Sequence, residues 1–378
     1  MRNKLSSWRG PKAMDRAEQR RKTGGQTVRP PDPELLKRAQ EATLVLHMGL
    51  HKTASSYVQG LLAARRDDLL REGLLYPRTG IVDKGSTSTR EGAGSGQGLL
   101  SRKGRQEALK AQLLEELPKD VPTVLVSSEE FSRARPTPTP QNLLARFRAF
   151  GTVKVVLVLR RQDVWIESYY KQIVDQYNNF ETRSFDKYLK ETGFALLDFH
   201  SRFTPWRELV GPENFHVLSY DDLADGAAIC RRILEISGLS GPLLEELAAV
   251  PVPRYESVRA IDTVGLRILN AYRLDDRDIR TKTARSIYDA APAGDIELMS
   301  ADLREEIQAM CRPINERIEA EWFDEPVPGF RFGAEPRVSA TDPPSGPEMI
   351  DYVNRVMSLC EDARIALDPE AMWGREVE

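Results

Sequence analysis

The chain has 378 residues, 40% hydrophobic and 29% charged, with a formal net charge of −3. That is room for one large α/β domain with additions, or for two smaller ones, in a composition ordinary for a folded protein. A near-neutral balance supplies no global basic field, so nucleic acid is not the expected partner. The three cysteines, Cys230, Cys311 and Cys360, are odd in number and far apart, which argues against a disulfide framework and for a reducing compartment.

Residues 1–38 are polar, basic and broken by Gly and Pro, and read as a disordered tail; contact with anionic lipid or a partner is the sharper alternative. The stretch lacks the apolar core of a signal peptide. No apolar run approaches the roughly 20 residues of a membrane helix. The expectation is a cytoplasmic protein, with peripheral membrane contact through the tail left open.

The folded part begins at Thr43. "TLVLH" (43–47) has the character of a buried strand, and residues 55–73 follow with helical periodicity and a stop at Gly73. Residues 83–98, rich in Gly, Ser and Thr, read as a loop and a candidate lid. A helix is expected over 101–117 and a second strand over "TVLVSSEEF" (123–131). "RARPTPTP" (133–140) is excluded from regular structure by its prolines. Then come a helix at 141–150, the strongest strand at 153–160 and a long helix at 164–176. A strand at 215–220 and a helix at 221–239 follow. From Pro251 the chain reads as helical and irregular, a Pro/Gly-rich stretch spans 325–347, and a last helix lies near 348–366. Strands alternating with amphipathic helices imply βαβ units and a parallel sheet. The expected domains are 39–324 for the α/β unit and 325–378 for a linker and C-terminal helix.

Two segments carry chemistry. In "VLHMGLHKTASSYVQGLL" (45–62), Gly49 lets the backbone bend close to a ligand, and the amides of the next helix point at an anion. Lys52 adds a charge, and Thr53, Ser55 and Ser56 add hydroxyls. The lysine follows Gly49 by only three residues, too few for an ATPase-type loop but suited to one terminal phosphate. The plainer reading is a strand–turn–helix with a surface lysine. In "LRRQDVWIESYYKQ" (159–172), Arg160 stands at a strand end and Ser168 lies eight residues on. Together they can grip a second phosphate. Taken alone, Arg160 and Arg161 would instead pair with Asp163 or Glu167. A nucleotide with both 5′ and 3′ phosphates accounts for both segments.

These segments resemble the sulfotransferase family that uses 3′-phosphoadenosine 5′-phosphosulfate (PAPS), in particular its bacterial branch. "HMGLHKTASS" is similar to its 5′-phosphosulfate loop and "LRRQDVWIESYY" to its 3′-phosphate motif; "VLVSSEEFSR" (124–133) and "HVLSYDDL" (216–223) also look like family segments. The resemblance covers about residues 43–270. It implies a three-layer α/β/α, P-loop-like fold with helical C-terminal additions, PAPS as co-substrate without an obligatory metal, and a carbohydrate or small-metabolite hydroxyl as acceptor. It puts Lys52 against the bridging oxygen and the 5′-phosphate, and Thr53, Ser55 and Ser56 on the 5′-phosphosulfate. Arg160 and Ser168 fall on the 3′-phosphate.

The chain departs from that pattern in having Ala54 where relatives have Gly, and Gln97 where many have His. Glu129, Glu130 and His51 are the candidate bases, with Glu129 slightly ahead of Glu130. His47 reads as a packed strand residue, and zinc at His47 and His51 lacks a third ligand. Trp165, Tyr169, Tyr170 and Tyr177 read as core, with stacking on a base or sugar as the sharper role. Two other readings stay open: a P-loop kinase or other nucleotide-dependent transferase, and a non-catalytic module binding a phosphorylated ligand. The acceptor loops (80–100 and 177–200) carry no readable code.

Overall fold

The computed structural model describes residues 32–80, 106–132, 139–177, 179–223, 225–252, 258–322 and 342–367. Five strands, β1 (Thr43–Gly49), β2 (Leu74–Leu75), β3 (Thr123–Ser127), β4 (Thr152–Leu159) and β5 (Phe215–Ser219), form one sheet in the order β2-β3-β1-β4-β5, and every neighbouring pair is parallel.

Helix α1 (Pro33–Glu41) begins inside the segment read as tail, with Asp32 accepting from the Glu34 amide at its start. Strand β1 (Thr43–Gly49) leads into α2 (Ser55–Ala64). The helix expected over 55–73 breaks at Arg65 (φ −116°, ψ 23°) and resumes as α3 (Arg66–Arg71), so that Leu62, Leu69 and Leu74 all reach one core. Gly73, at φ +82°, turns the chain into β2 (Leu74–Leu75). Helix α4 (Gln106–Glu116) precedes β3 (Thr123–Ser127). The second strand stops four residues earlier than its apolar run suggested. Ser128 N–H turns back to the His47 carbonyl, and Glu129–Ser132 coil into a 3₁₀ turn.

Helix α5 (Pro140–Leu144) is shorter than the expected 141–150, because residues 145–147 tighten to 3₁₀. Then follow β4 (Thr152–Leu159), α6 (Gln162–Asp175), α7 (Phe199–Val210) and β5 (Phe215–Ser219). The expected helix over 221–239 is a single turn at Tyr220–Leu223 and then α8 (Gly226–Ile236). Helix α9 (Pro242–Ala248) completes this part. Beyond it stand α10 (Ala260–Tyr272), α11 (Arg277–Ala290), α12 (Ala301–Trp322) and α13 (Gly346–Leu367). The candidate lid at 83–98, Gln97 and most of the Pro/Gly-rich stretch lie outside the described residues.

The sheet has helices on both faces, and strand alternation shows which residues serve which face. Val45, Leu125, Val156 and Val158 pack with Tyr57, Val58 and Leu62 of α2 and Ile229 and Ile233 of α8. Leu44, Leu46, Met48, Val126, Leu157 and Leu159 pack on the other side with Ile166 of α6, Phe199 and Phe203 of α7, and the later helices. The result is a three-layer α/β/α unit. Tyr352, Val356 and Cys360 of α13 belong to the same core as Leu266 and Ile287, so the last helix is packed onto this unit. Among the described residues, no helix is long and apolar enough to cross a membrane.

Candidate anion-binding site

The connection after β1 runs to one face of the sheet and that after β3 to the other, so the carboxyl ends of these two strands form the crevice where α/β sheets bind ligands. The loop from Leu50 to Ala54 sits there. Its backbone is unusual: Lys52 (φ +68°) and Ala54 (φ +62°) both adopt left-handed conformations that L residues avoid. Neighbouring strand ends hold it in place. Leu50 N–H donates to Val158 O, Ser132 Oγ donates to Gly49 O at 3.0 Å, and Arg160 Nη1 donates to Lys52 O at 3.1 Å.

Helix α2 starts at this loop without a side-chain cap; the Tyr57 and Val58 amides bond the Ala54 carbonyl, and the Ser55 and Ser56 amides precede that first intrahelical bond. Gly49 forms the floor. A Cβ there would lie 2.2 Å from Ser55 Oγ, 3.0 Å from Thr53 Oγ1 and 3.3 Å from His47 Nε2. Ser55 Oγ and His47 Nε2 are buried and have no hydrogen-bond partner among the described residues. Buried polar atoms are seldom left so, and two at the foot of an uncapped helix fit an anion.

Lys52 is an exposed residue, yet the protein around its ammonium displaces enough water to lower its pKa. Asp175 opposes that shift, and Arg160 and Lys171 add to it, so three cations gather at one rim. Thr53 is fully buried, and its hydroxyl donates to Leu50 O at 2.6 Å rather than facing the loop's open side. Ser56 is exposed on the first turn of α2.

Arg160, at the end of β4, is the second anchor. Its guanidinium lies 4.9 Å over the Tyr220 ring, and its Nε stands 3.9 Å from Asp221. Nη2 has no protein partner among the described residues. The expected alternative, pairing with Asp163, falls to Arg161 instead, through bonds of 2.7 and 2.9 Å. Asp221 receives the Arg161 main-chain N–H at 2.6 Å; burial raises its carboxyl pKa against the pull of that bond and both arginines. Ser168 is half-buried on the α6 face that carries Gln172 and Asp175. Gln172 Nε2 meets His51 Nδ1 at 3.1 Å. The half-buried His51 ring stacks on Tyr169 (5.3 Å), which stacks on Trp165 (5.1 Å). Of the aromatic residues read as core, Trp165 and Tyr170 are buried, while Tyr177 hydroxyl bonds Asp275 O.

Glu129 and Glu130 follow β3 and are both half-buried. Glu129 Oε2 accepts from Gln59 Nε2 at 3.1 Å, and the Glu130 amide donates to Ser128 Oγ at 3.2 Å. Sequence reasoning missed Gln59, Asp221, Lys171 and Asp175. Asp221 was findable as an acid directly after a strand, and Gln59 as one helical turn beyond Ser55. Lys171 and Asp175 have meaning only once α6 is docked. Among the described residues, no group of three or more His, Cys, Asp or Glu side chains could hold a metal.

No family model and no solved structure matches the chain. It is 29% identical over 151 residues to a protein of Archaeoglobus fulgidus described as uncharacterized, a match covering 39% of this chain and 38% of that protein. The chain thus spans well under half of the curated relative it matches.

Proposed function

We propose that the protein is a PAPS-dependent sulfotransferase acting on a hydroxyl of a carbohydrate or small metabolite. The observation that supports this reading is one hydrogen bond that brings two candidate anion-binding segments together. The short cradle at Gly49–Ser56 and the Arg160 strand end are joined by Arg160 Nη1 and Lys52 O at 3.1 Å. A nucleotide bearing a 5′ and a 3′ anionic group suits such a pair. The co-substrate supplies an activated sulfuryl group.

The residues present fit its charge. The α2 amides, Ser55 Oγ and Lys52 would hold the 5′ end, with Arg160 Nη2 and Ser168 at the 3′ end. Lys52 and the helix start stabilise charge growing on the leaving oxygen. By analogy with phosphoryl transfer, the acceptor oxygen attacks sulfur in line while its proton passes to a carboxylate. As the new S–O bond forms, the bond to the bridging oxygen breaks and its electron pair stays on the 5′-phosphate. A sulfate ester and 3′,5′-bisphosphoadenosine result.

The kinase alternative needs a metal-binding hydroxyl after the lysine, and Thr53 directs its hydroxyl to Leu50 O instead. Three buried free cysteines suit a cytoplasmic protein, their thiols pushed up to about 12 by burial. Calorimetric titration with 3′,5′-bisphosphoadenosine against ADP, ATP and AMP, with and without Mg²⁺, tests the reading. Tight, metal-independent binding that requires the 3′-phosphate is expected. A preference for ATP with Mg²⁺ would replace the reading with the kinase, and no binding with the non-catalytic module.

A further inference from the structure

We infer that Gln59 is the positioning residue for Glu129, at the end of a buried side-chain chain that starts at the floor of the cradle; the inference rests on the transfer reaction proposed above. The chain runs His47, Ser127, Gln59, Glu129, and joins β1, β3 and α2. His47 is fully buried, and its Nδ1 lies 2.8 Å from Ser127 Oγ. Gln59, 8% exposed, donates from Nε2 to Ser127 Oγ at 3.2 Å and to Glu129 Oε2 at 3.1 Å.

A glutamine amide has two N–H donors, and here both are committed. A carboxylate on a short 3₁₀ turn has several free torsions, and the amide removes most of that freedom by fixing Oε2. Glu129 Oε1 is left without a protein partner among the described residues, available to an acceptor proton. Gln59 itself is held from the buried side by Ser127, which in turn is bonded to His47. Of the two acids it is Glu129 whose side chain accepts from Gln59, while the Glu130 main-chain amide donates to Ser128 Oγ. Two adjacent carboxylates of the same sequence character are thereby made unequal, and the free His47 Nε2 beneath Gly49 ties the same chain to the anion seat.

The experiment compares the full-length wild type with Gln59→Met, Glu129→Gln and the double variant. Binding of 3′,5′-bisphosphoadenosine is measured by calorimetry, and turnover by release of labelled sulfate from PAPS to water. Gln59→Met should keep Kd within about twofold and lose about tenfold or more in turnover, and the double variant should be no slower than Glu129→Gln alone. Unchanged turnover in Gln59→Met, or an equal loss in both backgrounds, overturns the inference. Wild type that does not bind the nucleotide defeats the sulfotransferase reading instead. A third readout needs no ligand. In the unliganded protein, the Gln59 side-chain amide protons should be protected from exchange and should shift in Glu129→Gln. Rapidly exchanging protons that ignore that substitution overturn the chain of contacts, whatever the nucleotide does.

Discussion

Arg160 donates from Nη1 to the main-chain carbonyl of Lys52 at 3.1 Å, so the end of β4 holds the loop after β1 in its left-handed shape. Arg160 therefore braces the loop, and in the proposed function its Nη2 would also meet the 3′-phosphate. Arg160→Ala should weaken 3′,5′-bisphosphoadenosine by about 2 kcal/mol, roughly thirtyfold, the worth of a hydrogen bond to a charged group. Affinity for a nucleotide with only a 5′-phosphate should fall much less. Equal losses for both ligands, measured by calorimetry, would remove Arg160 from the 3′ end.

Lys52 should behave differently. In the proposed transfer its charge would act where negative charge grows on the leaving oxygen, so Lys52→Ala should lower turnover by about 10²–10³. Nucleotide affinity should change by less than about tenfold. Single-turnover assays with labelled PAPS, set beside calorimetric Kd values, separate the two. A variant retaining full turnover would take Lys52 out of the chemistry.

Ala54 sits at φ +62° at the start of α2, where a Cβ is strained by about 1–2 kcal/mol. Glycine would relieve that strain but lose about 0.4–1 kcal/mol through a more flexible unfolded chain. Ala54→Gly is thus expected to stabilise the protein by about 0.5–1 kcal/mol in urea unfolding. Gly49→Ala should do the reverse. Its Cβ would come within 2.2 Å of Ser55 Oγ, for an overpacking cost of about 1–3 kcal/mol and loss of nucleotide binding. A destabilised Ala54→Gly would show that the methyl's packing toward Gly226 outweighs the backbone strain.

Burial depresses the His47 pKa to about 4 from the ordinary 6.5. Between those values the unfolded chain takes up a proton that the native imidazole refuses. Its contribution is therefore fully present above about pH 6.5 and is lost as pH falls toward 4, on the order of 3 kcal/mol in all. At pH 5 the loss should be about 2 kcal/mol. His216 is also depressed by burial, with the same sign, so the comparison is with His47→Gln. That variant should lose about 2 kcal/mol less than wild type between pH 7 and pH 5 in urea titrations. Identical slopes would mean that His47 is not sealed from water.

Asp163 has no exposed side-chain surface and collects bonds from Arg161, Arg304 (3.0 Å) and Gln308 (3.1 Å). Burial alone would raise its carboxyl pKa; the Arg161 bond and charge, with Gln308 and Arg304, hold it below the ordinary value. Asp163→Ala removes a buried carboxylate shared by two half-buried guanidinium groups, of which Arg304 keeps Glu167 at 3.6 Å, and should cost about 1–3 kcal/mol. It should also loosen α12 from α6. A loss under 1 kcal/mol by urea unfolding would show that the arginines find other partners.

Much of this was legible in the residues. The alternation Leu44, Val45, Leu46 marks a strand buried on both faces, and such strands separated by amphipathic helices dictate a parallel sheet. Gly49, Lys52 and the hydroxyls after them mark a strand–loop–helix turn able to hold an anion, because chain neighbours build that turn. Arg160 at the end of its strand was legible for the same reason. Tertiary structure decided which distant groups face that turn. The bond from Arg160 to Lys52 spans 108 residues, and that from Gln59 to Glu129 spans 70. Neither has a local signature, since both follow from strand order and helix docking. The choice between Arg160 and Arg161 for Asp163, and between Glu129 and Glu130 for Gln59, depends on which side of a turn each residue occupies. Sequence fixes the residue types and their spacing, whereas such orientations emerge only when burial and hydrogen bonding are satisfied throughout the core.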